Sequence, residues 1–188
     1  MTPFEHIANL ISIVIGLGIT HLLMNIYRLI QVRHRVKIYW LPAMWAAVIF
    51  VTMVEWWWYF FDLREQIASW NFFYLIFVLM SPVAQFMAAA FVLPEPEQNE
   101  EFMDLKHYYY RDGSYFFAMM AASPVLDAIR RGIESGSFTN PGVVTNAVSA
   151  VLVGTLAWTK REVYHTFVTL FVAGLFVWFV LSAALNLR

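Results

Sequence analysis

The stretch EWWWYFFD, Glu55 to Asp62, sets a carboxylate beside three consecutive tryptophans at the end of a long apolar run. An ionisable side chain inside a membrane segment is a functional candidate by default, because a charge there is costly unless it is paired, neutralised or set against a polar pathway. At 100° per residue Thr52, Glu55, Tyr59 and Asp62 share one helix face. Trp56, Trp57 and Trp58 spread round the rest as an interfacial aromatic belt. Glu55 is therefore expected to look inward, where Glu5, His6 or Asn9 would hold it. It would serve there as a hydrogen-bonded or protonated acid, or as a proton-transfer group.

Other polar residues stand in patterned positions. Glu5, Asn9, Ser12, Gly16 and Thr20 fall within an arc of about 80° on one helix. Such a stripe predicts close packing on a neighbouring helix, or one wall of a polar cavity, and the two are compatible. His21, Asn25 and Arg28 form a second patch on another face. His165, His107 and His34 are expected at the same membrane face as His21. Imidazole is a common metal and haem ligand and changes charge near neutral pH. No histidine pair has ligand spacing, so no metal site is expected. Asn71, Tyr74, Ser81 and Gln85 lie on one broad face of a third segment. A polar pathway through the chain would use Glu5, Asn9, Thr20, His21, Glu55, Gln85 and His165.

Several chemistries are missing from the sequence. It has no cysteine, which removes disulfides, thiolate metal sites and cysteine nucleophiles. It has no glycine-rich phosphate loop, no HExxH and no GxSxG. No catalytic residues are assigned, and a non-enzymatic role is expected.

The elements that must position these residues follow from composition. Of 188 residues 61% are hydrophobic and 13% charged, about half the charge of an ordinary soluble domain. A soluble fold of this length cannot hide that much apolar surface. The expected class is all-α, an integral membrane bundle of six transmembrane helices in one domain. A bilayer core about 30 Å thick needs about 20 apolar helical residues. Segments 5–30, 38–61, 67–93, 108–129, 141–159 and 163–187 meet or approach that length, the fourth with Arg111 and Asp112 at headgroup level and a possible kink at Ser123-Pro124. Residues 94–107 form an acidic cytoplasmic linker with a short interfacial helix. MTPFEHIANL lacks the basic start and small-residue cleavage site of a signal peptide, so the first span is expected to stay.

Lysines and arginines in the connections divide eight to four, counting Arg130 and Arg131 in the fourth loop. The excess on the first, third and fifth connections predicts both termini outside, in a bacterial inner membrane. A net charge of −1 with no long basic run gives no sign of nucleic-acid binding. The expected partners are the bilayer and a second copy or another membrane protein.

GLGITHLL in the first span, the RLI…R.RV..YW connection and EWWWYF resemble a family of small bacterial six-helix inner-membrane proteins with no assigned activity. The LP…L..YYY linkage into the fourth span fits the same pattern. The resemblance implies the architecture and no mechanism. Three functions stay open: a small ion, proton or solute pathway, a non-catalytic assembly subunit, and a haem or redox protein using His21 and His165 as axial ligands.

Overall fold

A computed structural model describes residues 3–66, 72–96 and 102–186. The chain is almost wholly helical. Helix α1 (Pro3–Gln31) leads through a 3-10 turn (Arg33–Arg35) and a two-residue strand β1 (Val36–Lys37) into α2 (Trp40–Gln66). Then come α3 (Phe72–Phe91), the short strand β2 (Met103–Asp104), α4 (Leu105–Ser135), α5 (Pro141–Thr155) and α6 (Glu162–Asn186). Among the described residues three segments are long and apolar enough to cross a membrane: Ile7–Gln31, Trp40–Phe60 and Phe72–Phe91. Large side chains such as Phe73, Trp158 and Trp178 stand exposed on the outside, as a bilayer-facing surface requires. The protein is membrane-associated by this criterion.

The helix ends follow local chemistry. Asp104 caps α4, its Oδ1 accepting from the Lys106 and His107 amides at 2.8 and 3.2 Å. The last turn of α4 stops at Gly136, whose φ of 63° suits a residue without Cβ. Asn140 caps α5 and Pro141 occupies its first turn. Among the described residues of the 94–107 linker, Met103–Asp104 pairs in parallel with Val36–Lys37, and the helix beginning at Leu105 is α4 itself. α4 continues through Pro124, past the expected end at 129, to Ser135, and its last turns carry the Arg130–Glu134 pair at i,i+4 spacing.

Helix α4 is the central element. It packs along α3 and α5, while α1 lies against α3 and α2, and α6 against α2. Its buried face reads Tyr109, Phe116, Met120, Ser123 and Arg130, steps of seven, four, three and seven that keep to one side of a helix. Trp45 of α2 fills the middle, edge-on to Phe116 and Phe117 at centroid distances of 5.5 and 5.4 Å.

α1 is turned differently from the sequence expectation. Asn9, Ser12, Gly16 and Thr20 are all exposed, and nothing lies within 4 Å of a Cβ added at Gly16. The small stripe is therefore exposed, with Ser12 Oγ accepting from Trp57 Nε1 of α2 at 3.1 Å. The close approach is made at Gly18, where an added Cβ would collide with the Met53 tip and sit 3.4 Å from Phe86 Cα. The Met53 end can move and the α3 backbone cannot. Gly18→Leu should cost about 1–3 kcal/mol of stability through overpacking, and Gly16→Leu less than about 0.5 kcal/mol. Thermal unfolding in detergent separates them, and equal losses would contradict this packing.

One end of the bundle is tied by ion pairs. Lys37 Nζ meets Asp104 Oδ2 at 3.0 Å and Lys106 Nζ meets Glu162 Oε2 at 2.7 Å. Arg28 pairs with Glu95. The α1–α2, α3–α4 and α5–α6 connections thus meet on one side. Hydrogen bonding from Lys37 holds the Asp104 carboxyl below its ordinary value, and Lys106 does the same for Glu162. Carboxyls lowered by folding stabilise above their unfolded pKa values and lose that contribution as pH falls through the lowered ones, below about 4. Amide protection at Lys106 and His107, corrected for intrinsic exchange, should fall over that window. Unchanged protection would show that the clamp carries no pH-dependent stability.

Candidate functional site

Among the described residues one charged side chain is buried, Arg130, which was expected in a loop. Arg130 lies on α4 with 3% of its side chain exposed. Its Nη1 donates to both carboxylate oxygens of Glu134, at 3.0 and 2.7 Å. Its Nη2 donates to the Tyr59 hydroxyl at 3.2 Å, and its Nε lies 3.7 Å from Asp127 Oδ1. Tyr74 of α3 donates to Glu134 from the other side. The guanidinium carbons of Arg130 and Arg131 sit 5.1 and 4.9 Å from the Tyr59 ring centroid, within cation–π range. Three helices are joined here by one network: α2 through Tyr59, α3 through Tyr74 and α4 through its charges.

Glu55 sits half-buried one turn before Tyr59, and its charged neighbours are Asp127 and Arg131 of α4. It makes no hydrogen bond or ion pair among the described residues. Of the holders expected from the sequence, Asn9 is exposed, and the side chains of Glu5 and His6 lie outside the described residues, as does that of Asp62. Trp56 Nε1 faces Asp127 without closing a hydrogen bond. Among the described residues three carboxylates, Glu55, Asp127 and Glu134, thus stand near two guanidiniums, Arg130 and Arg131. Glu55 is the carboxylate of these without a hydrogen bond or ion pair of its own among the described residues.

The remaining candidates are dispersed. Gln85 is buried between α3 and α4, its Nε2 donating to Ser123 Oγ at 3.2 Å, and Ser81 Oγ meets the same hydroxyl at 2.7 Å. His21 is on the α1–α3 seam, with Asn25 Nδ2 donating to its Nε2 at 3.1 Å and Phe86 beside the ring. Thr20 and Asn9 face outward, which corrects their expected place on an inner wall. His165 is buried at the other end of α4. Its Nε2 donates to the Thr159 carbonyl at 2.6 Å, so Nδ1 is the acceptor for the Tyr109 hydroxyl at 2.9 Å. Both ring nitrogens are engaged, and axial ligation of a haem would break one of these bonds. Trp45 Nε1 and Thr169 Oγ1 approach Tyr109 without a closed hydrogen bond. No group of three metal-ligating His, Asp or Glu residues occurs among the described residues.

Polar residues therefore form separate nodes along α4. From Tyr109 to Arg130 is about 31 Å of helix. Between Tyr109 and Ser123 the buried face is Phe116, Phe117, Met120 and Trp45, packed ring on ring. The network at Arg130 was missed because hydropathy falls after Leu126, which ended the fourth segment at 129. The spacing Asp127, Arg130, Glu134 was the available signal: opposite charges at three and four residues belong to one helix face.

Comparison with models of known families, with curated proteins and with solved structures returns no match.

Proposed function

We propose that this chain is a multi-pass membrane protein that takes up and releases protons, or passes a small cation, at Glu55. The observation that supports this most is the charged cluster at α2 and α4: Glu55 faces Asp127 and Arg131 without a hydrogen bond or ion pair of its own among the described residues. A carboxyl held by the field of its neighbours exchanges a proton without unmaking structure, and ionisable residues within membrane spans mark proton relays and ion pathways. The apolar packing around Phe117 would be the barrier that opening must wet, as in hydrophobic gating.

The same reading makes all six helices cross. The span from Tyr109 to Arg130 equals a bilayer core of about 30 Å, leaving Arg130 at an interface. The short α5 would cross with the help of the turn that follows it. Arg130 and Arg131 belong to the helix rather than a loop, so the basic excess stays with the α1–α2 end and favours both termini outside an inner membrane. In proteoliposomes the protein should carry a pH-dependent proton or monovalent-cation flux, and Glu55→Gln should abolish it. No flux from the folded wild-type protein would overturn the reading.

A second reading, assembly with another copy, is favoured by the outward stripe of α1. Asn9 and Thr20 stand exposed on a membrane-length helix, and a second such helix would satisfy them. The chain has no cysteine, so Gly16→Cys offers a single crosslinking site. Disulfide dimers should form in membranes at Gly16→Cys and not at Val151→Cys on α5. Equal crosslinking at both would remove this reading.

A further inference from the structure

A groove of about 500 Å³ opens between α1 and α2 near the ion-paired end of the bundle. Leu22 and Ile26 line one wall and Ala43, Ala46 and Ala47 the other, with Leu93 and Leu105 also contributing. The alanines make the space, since larger side chains there would fill it. Apart from Arg33 and Tyr39, every lining side chain is hydrocarbon. From Leu22 to Ile30 the groove follows α1 for about 12 Å, and Arg33 stands just past the helix end. Its lips, Leu23, Ile30 and Ile38, are exposed, so it opens sideways from helices that have membrane length.

The charges at its mouth are selective. Arg28 and Lys37 have carboxylate partners. Arg33 lines the groove and donates to the Ile30 carbonyl at 3.3 Å, with no ion pair among the described residues. Arg35 follows two residues on, exposed, with no ion pair among the described residues. A hydrocarbon slot with two guanidiniums at one end, neither ion-paired among the described residues, matches a molecule with an apolar chain and an anionic head. Basic mouths between helices on the cytoplasmic side hold anionic headgroups on the same principle.

We infer that the α1–α2 groove is a binding site for an anionic phospholipid, with one acyl chain along Ala43 and Ala47 and the phosphate on Arg33 and Arg35. The inference rests on the membrane location of α1 and α2 and not on proton handling at Glu55. Native mass spectrometry of the whole protein, released from bilayers of equal phosphatidylglycerol and phosphatidylcholine, tests it. One retained phosphatidylglycerol per chain is expected. Ala47→Phe should remove it, while Ala118→Phe on the exposed side of α4 should not. Arg33→Ala leaves the fold untouched and should lower the preference for phosphatidylglycerol about fivefold, the effect of one arginine beside an anionic surface. Equal retention of both lipids would overturn the proposal, as would identical adducts on Ala47→Phe and Ala118→Phe. A retained free fatty acid, or a dimer that Ala47→Phe dissociates with no lipid released, would also overturn it.

Discussion

Arg130→Ala should destabilise the bundle by about 3–5 kcal/mol, the cost of leaving buried charges without their partner. The guanidinium is 3% exposed and holds Glu134 with two hydrogen bonds from one nitrogen, Tyr59 with one from another, and Asp127 across 3.7 Å. Its removal strands two carboxylates that neither water nor lipid fully solvates. Glu134 keeps 27% of its side chain exposed, which places the effect toward the lower end of that range. Arg130→Met should lose nearly as much, since it restores packing and no charge. Arg130→Lys should rescue only partly, because an ammonium cannot serve Glu134 and Tyr59 in the geometry of a planar fork. The double variant Arg130→Met with Glu134→Gln should recover part of the loss by removing the stranded acid. Chemical unfolding in micelles reads all four. A single-variant loss under about 0.5 kcal/mol, ordinary for a surface site, would show that the network does not hold α2, α3 and α4 together.

Glu55→Gln is expected to divide structure from activity. The carboxyl forms no hydrogen bond or ion pair among the described residues, so an amide of the same shape removes no contact. Stability should change by less than about 0.5 kcal/mol, in contrast to Arg130. What the amide lacks is a proton to exchange and a charge to set against Asp127 and Arg131. Flux should therefore be lost in a protein that stays folded. Asp127→Asn leaves Glu55 in place and changes its field, so it should shift the pH profile without abolishing flux. A Glu55→Gln protein that unfolds as readily as Arg130→Ala would assign Glu55 a structural role.

Much of the helical layout was legible because apolar runs of bilayer length have few other solutions. What failed was orientation. Periodicity groups residues onto a face and is silent about which face meets a neighbour. The stripe from Asn9 to Thr20 is a real face of α1, yet the close approach is made through Gly18, Leu22 and Asn25 on another side. Small and polar residues suit close packing, but here the shape of Met53 and Phe86 decides where α1 seats. Glu55 illustrates the same boundary. Its spacing with Thr52 and Tyr59 marked a face, while the identity of the opposing helix depended on α4 continuing past its hydrophobic stretch. Hydropathy alone cannot see that continuation, because Asp127, Arg130, Arg131 and Glu134 look like a loop when counted and like one network when folded.

Proton exchange at Glu55 is open to direct measurement by infrared difference spectroscopy on the protein in bilayers, stepped in pH. The carboxylic-acid carbonyl band moves on deuteration and reports a side chain gaining or losing its proton. Wild-type protein should show such a band, Asp127→Asn should keep it at a different pH midpoint, and Glu55→Gln should lack it. Identical spectra from wild type and Glu55→Gln would contradict proton handling at this residue and leave Glu55 as an inert member of the aromatic belt.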